Sequence, residues 1–521
     1  MMKRLSLKNI RVIVSLAFFA AMVLIFMDIV FPMPPAASEL ALYFQFIPSV
    51  LKFVTVGTLS ATGFIVVIGL TLFSGRVYCS FLCPLGVLQD LLIYLRRKIK
   101  RQRFRHETAH SLLRATILVV IVAAMAAGAF IGLTLLDPFS NFGRIFTYLF
   151  RPVAMAINNT LAFALAGINV YAIDPVEFKG LALFPFVFSL VFFGGLFWLC
   201  MQYGRLYCNT ICPVGTLLGF LSRYAPLKIR FVPERCTGCR TCEKVCKSGC
   251  IDANKAAIDF SRCVACCNCI EACPTSGIGY HWHAKKNAPQ ALPDTEKRRF
   301  MLQTAAVLLT AGTGTGAAAG PIRGDKVSTV PVMRKGAVFP PGALSLEHLM
   351  ARCTGCHLCV AECPTQVLQP AVLEYGLLGI MKPSMNYKAA FCSYDCVRCS
   401  TVCPSGAIVR QTPAAKKRIQ LGNAELIEKN CIVFTQKTDC GACAEHCPTK
   451  AVRMVFNDTI KKRAPKIDKN ICVGCGACEF ACPTKPYKSI YVQGHPVHAV
   501  AEKPREEKIE EKVDLKQAFP F

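Results

Sequence analysis

The sequence predicts an α-helical membrane bundle joined to small, cysteine-caged α+β domains on both sides of the membrane. Three observations carry that prediction. Apolar residues make up 53% of the 521-residue chain, more than a soluble globule carries. Long apolar runs fill the first two hundred residues, and most of the 31 cysteines follow them at regular spacing.

Apolar runs of about twenty residues, the length that crosses a hydrocarbon core, occur at 12–31, 53–73, 115–136 and 181–201, with a fifth near 300–320. Asn158, Asn159 and Asn169 interrupt the stretch 152–173, which reads as interfacial or re-entrant. The net charge of +28 is concentrated beside spans, notably in "RRKIKRQRFR" at 96–105. That is the positive-inside pattern. It places 74–112 in the cytoplasm with the basic amino terminus, returns the chain there near 202, and sends the segment after Arg298 and Arg299 outward. No basic stretch interleaves with aromatics as a nucleic-acid surface requires, so no nucleic-acid partner is expected.

The cysteines fall into six sets. Cys236, Cys239, Cys242 and Cys246 precede Cys263, Cys266, Cys269 and Cys273. Later sets are Cys353, Cys356, Cys359 and Cys363; Cys392, Cys396, Cys399 and Cys403; Cys431, Cys440, Cys443 and Cys447; and Cys472, Cys475, Cys478 and Cys482. Three thiolates two residues apart wrap one face of a [4Fe–4S] cubane, while a fourth, usually before proline, reaches the neighbouring cluster. Six clusters follow, held in ferredoxin-like α+β iron–sulfur domains. Cys236, Cys239 and Cys242 pair with Cys273, and Cys263, Cys266 and Cys269 with Cys246. The last four sets pair either with their neighbours or first with fourth and second with third.

Structural zinc takes its ligands as two separated pairs, and disulfide frameworks lack this repeated spacing. Two departures stand out: Lys247 replaces proline after Cys246, and eight residues separate Cys431 from Cys440. Cys200, Cys250 and Cys267 fall outside the scheme and read as free or packed thiols.

A different repeat marks the membrane part. "SGRVYCSFLCPLGVL" at 74–88 recurs as "YGRLYCNTICPVGTL" at 203–217, which implies a duplicated unit ending in a cytoplasmic elbow. Cys79, Cys83, Cys208 and Cys212 are thereby brought to one membrane face. They are candidates for a further metal centre or a redox-active pair.

On these motifs, residues 1 to about 285 resemble the NapH family, the membrane quinol dehydrogenase subunits of periplasmic nitrate reductase systems. Residues from about 295 resemble the periplasmic ferredoxins NapG and MauM, so the chain looks like a fusion of the two. The resemblance implies a bacterial inner-membrane protein that takes electrons from menaquinol or ubiquinol. Its partner would be a periplasmic reductase or cytochrome. Similar elbows occur in NosR-type and CcoG-type proteins, which keeps an assembly or maintenance role for a periplasmic metalloenzyme as an alternative. Outward flow from a cytoplasmic carrier is another.

Quinol oxidation needs proton acceptors, and acidic groups within membrane segments are candidates for that role. Asp28, Asp137, Asp174 and Glu177 lie near predicted outer ends, where capping a helix or meeting water is the simpler role. Arg76 and Arg205 beside the elbows stand either to stabilise anionic charge or to anchor the cytoplasmic face. His281 and His283 read as a loop at the membrane surface. No nucleotide fingerprint or haem-attachment motif appears, so the chain reads as a conduit.

The expected domains are a 1–225 membrane part, a 226–285 cytoplasmic two-cluster domain, a 286–325 joint, a 326–495 periplasmic four-cluster domain and a 496–521 charged tail. In the joint, Arg298 and Arg299 precede Met301, Leu302 and a Gly/Ala/Thr-rich core, as in a twin-arginine signal. Such a route carries folded domains, sparing sixteen ligand cysteines oxidation before metal binds.

Overall fold

The structure, a computed structural model, describes residues 6–27, 33–57, 61–99, 111–178, 182–282, 334 and 336–503. Asp28, His283, the twin-arginine-like joint with its fifth span, and the tail from 504 lie outside the described residues. The chain forms two compact units. One contains the membrane part, the first ferredoxin-type segment, 339–386 and 397–411; the other contains 387–396 and 412 onward. This division cuts across the expected 326–495 domain.

In the first unit the helices are α1 (Leu7–Met27), α2 (Pro35–Tyr43), α3 (Phe46–Val56), α4 (Gly63–Ser74), α5 (Tyr78–Phe81) and α6 (Pro84–Ile99). There follow α7 (Ser111–Ala126), α8 (Ile131–Leu136), α9 (Pro138–Ile145), a π-helical turn over Phe146–Phe150, and α10 (Arg151–Ala166). The series ends with α11 (Leu183–Tyr203), α12 (Leu206–Thr210) and α13 (Pro213–Leu221). Among the described residues, three helices are long and apolar enough to cross a membrane: Leu7–Met27, Pro138–Ala166 and Leu183–Tyr203.

Two expected spans are instead broken hairpins. Gly57, at φ +62°, caps α3, and the chain folds back so that Phe64 of α4 meets Phe53 of α3 at 5.4 Å and donates its N–H to Ser49 Oγ at 3.0 Å. The 115–136 run breaks after α7, where Gly128 takes φ +80°, and Leu133 of α8 packs with Ile121. Continuous hydrophobicity could not reveal these turns, because it reports burial in apolar surroundings and not the path of the backbone.

The reverse error concerns 152–173. Its asparagines do not end the helix but tie a loop to it: Asn158 Nδ2 donates to Asp174 O at 3.0 Å. Asn159 exchanges two bonds with Val176, at 2.9 and 2.8 Å. Their polar groups are satisfied, so the helix runs on from Pro138.

Each ferredoxin-type segment is built on strand pairs. In the first, β1 (Leu227–Phe231) pairs antiparallel with β4 (Ile278–Trp282), and β2 (Ile251–Asp252) with β3 (Ala257–Ile258). Ile229, Ile251 and Ile278 share a core with Cys242, Cys246 and Cys269. His281 is therefore an exposed strand residue, not a loop residue. In 339–411, β5 (Leu368–Pro370) pairs with β6 (Pro383–Met385). The second unit pairs β7 (Ile419–Leu426) with β10 (Ile490–Val500) and β8 (Val452–Asn457) with β9 (Lys462–Ile467).

Candidate iron–sulfur and elbow centre

The two elbows cross at the heart of the first unit. Arg76 of the first elbow donates to the Cys208 carbonyl of the second at 3.1 Å, and Arg205 of the second donates to the Cys79 carbonyl of the first at 2.7 Å. Arg76 also reaches Asn209 Oδ1 and Ser261 O, at 2.9 and 3.0 Å. The repeated glycine follows from this crossing. A Cβ on Gly86 would stand 2.4 Å from Cys79 O, and one on Gly215 would stand 2.2 Å from Cys208 O.

Cys79, Cys83, Cys208 and Cys212 are all buried. Gln89 Nε2 donates to Cys208 Sγ at 3.2 Å, and Gly215 N to Cys212 Sγ at 3.3 Å. Arg76 and Arg205 are fully buried as well, which rules out the reading of them as surface anchors.

One residue that the sequence pattern did not single out holds this centre to the first ferredoxin-type segment. Asp90, on α6, receives Arg11 at 2.9 Å, Arg205 at 2.8 Å and Lys247 at 2.8 Å. Burial alone would raise its carboxyl, but Arg205, Lys247 and Arg11 outweigh that and hold it well below the usual carboxylate range. Lys247 stands where the other motifs have proline, and its carbonyl accepts from Arg205 N at 3.0 Å. The departure from the motif thus makes a cross-link.

On its other side the centre meets the segment that carries Cys353. Tyr207 Oη donates to Leu136 O at 3.0 Å, just before α9. Arg144 of α9 donates from Nε to Gly355 O at 2.9 Å and also bonds Thr134 O. Gly143 is so close to Cys356 O and the Phe26 ring that a Cβ would lie 2.4 and 2.6 Å from them. At the opposite end of α1, Lys8 pairs with Glu271 of the first ferredoxin-type segment at 2.7 Å. Two cysteine-rich segments therefore touch opposite ends of a helix about 30 Å long.

Asp137 caps α9, its carboxylate accepting Ser140 N at 3.0 Å and Ser140 Oγ at 2.6 Å, so its role is structural. Asp174 and Glu177 take part through their backbone carbonyls, which accept from Asn158 and Gln366.

The cysteine loops share a local design. In four of the six motifs the two residues that flank the second cysteine have positive φ: Gly238 and Arg240, Ala265 and Cys267, Gly355 and His357, Gly474 and Gly476. Left-handed backbone at non-glycine positions is costly. Its recurrence at equivalent sites indicates a loop curled around a common object. In the two motifs with widened first gaps, Val397 and Gly441 have φ −123° and −126° instead. In all five Cys-Pro motifs the fourth thiol lies beside a hydroxyl two residues on: Cys273–Thr275, Cys363–Thr365, Cys403–Ser405, Cys447–Thr449 and Cys482–Thr484, at 3.2 to 3.7 Å. Burial would raise the Cys273 and Cys482 thiols, but these hydroxyls and nearby N–H groups hold both below their ordinary value.

Several thiols lie near those of a neighbouring set. Cys359 lies within electrostatic reach of Cys353, Cys356 and Cys403; Cys443 of Cys440, Cys431 and Cys482; Cys478 of Cys475, Cys472 and Cys447. In the first segment Cys269 is within reach of Cys266, Cys263 and Cys246, and exposed Cys239 of Cys242 and Cys273.

Two of these groups line small cavities, one with Cys246, Cys263, Cys266 and Cys269, the other with Cys431, Cys440, Cys443 and Cys482. Among the described residues no three His, Cys, Asp or Glu side chains stand close enough to enclose a single ion. Four thiols are the donor set that a cubane takes. Of the three thiols left over, Cys200 is packed in the core and Cys267 forms part of a loop. Cys250 differs, because its Sγ lies 3.5 Å from Cys246 Sγ, and its hydrogen bond holds the Cys246 thiol below its ordinary value.

Comparison with known proteins finds 4Fe-4S binding segments in the chain. A family described as a 4Fe-4S binding domain matches residues 56–102 and 185–231, another of that description matches 348–369, and a 4Fe-4S dicluster domain matches 437–485. An uncharacterized protein of Methanocaldococcus jannaschii is 26% identical over 222 residues, which is 42% of this chain and 68% of that protein. The methylamine utilization ferredoxin-type protein MauM of Methylorubrum extorquens is 32% identical over 144 residues, 26% of this chain and 64% of that protein. The ferredoxin-type protein NapG of Escherichia coli is 29% identical over 163 residues, 30% of this chain and 65% of that protein. The chain thus spans about two thirds of each relative. No solved structure matches it.

The matched segments are iron–sulfur domains, and the named relatives are ferredoxin-type proteins. In the match to 56–102 the cysteines are those of the first elbow, and the match to 185–231 contains the second elbow and Cys200.

The hydroxyl beside each fourth thiol gives a direct test. A donor to a cluster sulfur stabilises the more negative, reduced state. Thr484→Val should therefore lower the potential of the centre that Cys482 serves by tens of millivolts, on the order of one charge-assisted hydrogen bond. Potentiometric titration followed by electron paramagnetic resonance reads the shift. An unchanged potential would mean that the hydroxyl serves only Ser489, 3.0 Å away.

Proposed function

We propose that the chain is a membrane-anchored electron-transfer protein that takes electrons from quinol and delivers them to a periplasmic reductase or cytochrome, as a NapH-like part fused to a NapG/MauM-like part. The observation that carries this reading is the buried path within the first unit. Cysteine-rich segments adjoin opposite ends of α1, and the crossed elbows lie between them, joined by Arg76, Arg205 and Asp90 on one side and by Tyr207 and Arg144 on the other.

Of six [4Fe–4S] clusters, five would be held by Cys236, Cys239, Cys242 and Cys273; Cys246, Cys263, Cys266 and Cys269; Cys353, Cys356, Cys359 and Cys403; Cys431, Cys440, Cys443 and Cys482; and Cys447, Cys472, Cys475 and Cys478. When bound, such clusters relay single electrons. Cys79, Cys83, Cys208 and Cys212 would hold a further metal or redox centre, a reading supported by the iron–sulfur family matches over both elbows. The chain's own part is electrostatic. Arg76 and Arg205 set positive charge against the buried thiolates, and Asp90 offsets the excess.

The test is anaerobic reduction of the purified protein by a menaquinol analogue, followed by electron paramagnetic resonance. Signals from quinol-reduced clusters are expected. Reduction by dithionite but never by quinol, even with a periplasmic acceptor present, would overturn the reading. Reporter fusions after residues 285 and 325 should report cytoplasm and periplasm respectively. The exposure of Cys236 and Cys239 favours a second reading, in which a soluble cytoplasmic carrier donates at that end. Cluster reduction by such a carrier, with quinol inert, would select it.

A further inference from the structure

The long helix Pro138–Ala166 is not α-helical throughout, because Phe146–Phe150 forms a π-helical turn. Such turns recur at functional sites, where the extra residue re-aims side chains. Here the turn faces a cavity of about 590 Å3, its open mouth included, lined by Thr147, Tyr148, Arg151, Phe178, Val360 and Gln369 among others.

Thr147 and Tyr148 are each only 6% exposed, and among the described residues neither Thr147 Oγ1 nor Tyr148 Oη has a hydrogen-bond partner. A buried hydroxyl without a partner carries a desolvation penalty, and native structures rarely leave one so. Two adjacent ones lining one cavity call for a ligand that supplies the missing bonds. The Tyr148 ring also meets the His357 ring edge-on at 5.3 Å, and His357 lies between Cys356 and Cys359. The cavity therefore stands beside one of the cysteine cages.

Its lining is mostly apolar, with Thr147, Tyr148, Gln366 and Gln369 as neutral polar groups and Arg151 as its one cation. That suits a neutral ring bearing oxygen atoms better than a phosphate, which draws several cations. Beyond the cavity Val153, Ile157 and Leu161 follow at four-residue steps, exposed by 57, 63 and 47%. This apolar stripe on a membrane-length helix is a path for a hydrocarbon tail.

We infer that this cavity is the head-group site for a lipid-soluble quinol, with Thr147 and Tyr148 hydrogen-bonding the ring oxygens and the tail lying along Val153, Ile157 and Leu161. The inference rests on the quinol reading above and adds its location.

The test is fluorescence-quench titration of the full chain in nanodiscs with 2-heptyl-4-hydroxyquinoline N-oxide, a quinol mimic. Tyr148→Phe and Thr147→Val, which keep shape and remove one hydroxyl each, should weaken binding about five- to tenfold with cluster absorbance unchanged. An azidoquinone photolabel should mark the peptide around 147–155. Unchanged affinity in both variants, labelling elsewhere, or displacement by phosphatidylglycerol as readily as by menaquinone would overturn the site. Its failure is distinguishable from that of the functional reading. Wild-type clusters reduced by menaquinol at rates the variants share would sink the site alone. Hydroxyl-dependent binding without reduction by menaquinol would sink quinol oxidation alone.

Discussion

Replacing Asp90 with asparagine is expected to cost about 3–5 kcal/mol, because it leaves Arg11, Arg205 and Lys247 buried without their shared counter-charge. Thermal unfolding in detergent should register the loss as a large fall in midpoint, with the first ferredoxin-type segment becoming protease-sensitive. The pH dependence carries the same information. Burial opposes ionisation of Asp90 and the three cations overcome it, so its folded-state pKa is depressed. A depressed carboxyl contributes stability that is full above its unfolded pKa of about 3.9 and declines as pH falls toward the folded value. The Asp90 contribution should thus be flat from pH 7 to about 5, and the gap between wild type and Asp90→Asn should narrow only below about 4. A gap that closed between pH 5 and 7 would mean that a histidine, not Asp90, governs the junction.

Gly215→Ala should be the second severe substitution. The added Cβ would stand 2.2 Å from the Cys208 carbonyl and 2.8 Å from Arg76 Nη2. The carbonyl is backbone and already receives Arg76, so relief requires moving the elbow itself. Overpacking of this kind costs about 1–3 kcal/mol or more. Gly86→Ala meets the same obstacle at 2.4 Å from the Cys79 carbonyl. By contrast, a Cβ on Gly194, in α11, has nothing within 4 Å, and alanine there is expected to be neutral or stabilising by up to about 1 kcal/mol. Unfolding midpoints of the three variants, with maleimide labelling of Cys208 as a second readout, check the contrast. Equal behaviour of Gly215→Ala and Gly194→Ala would show that the crossed elbows tolerate separation.

The cysteine sets were legible because their spacing is local. Thiols three residues apart need only a curled loop, and the positive φ at Gly355 and His357, or Gly474 and Gly476, is that curl. The hydroxyl after each Cys-Pro was equally visible as a repeated Thr or Ser, though its contact with the thiol had to be seen. The repeated Gly-Arg-x-Tyr-Cys elbow was legible as a duplication. That its arginines cross from one copy to the other was not, because a repeat reports ancestry and not packing.

Membrane segmentation fared worse. Hydropathy alone merged α3 with α4 and α7 with α8, and it discounted the helix through Asn158 and Asn159, whose amides are satisfied by the loop at Asp174 and Val176.

The sequence by itself determined the chemistry of this protein: cysteine spacing sets cage geometry within a few residues, where covalent structure leaves little freedom. Only the tertiary structure decided which charges meet. Asp90 finds Arg11 and Arg205 at 79 and 115 residues' separation, together with Lys247, in a position where a proline was expected. Such contacts arise from burial of whole helices, which makes an isolated charge too costly and draws distant partners to one carboxylate. No local pattern records that choice.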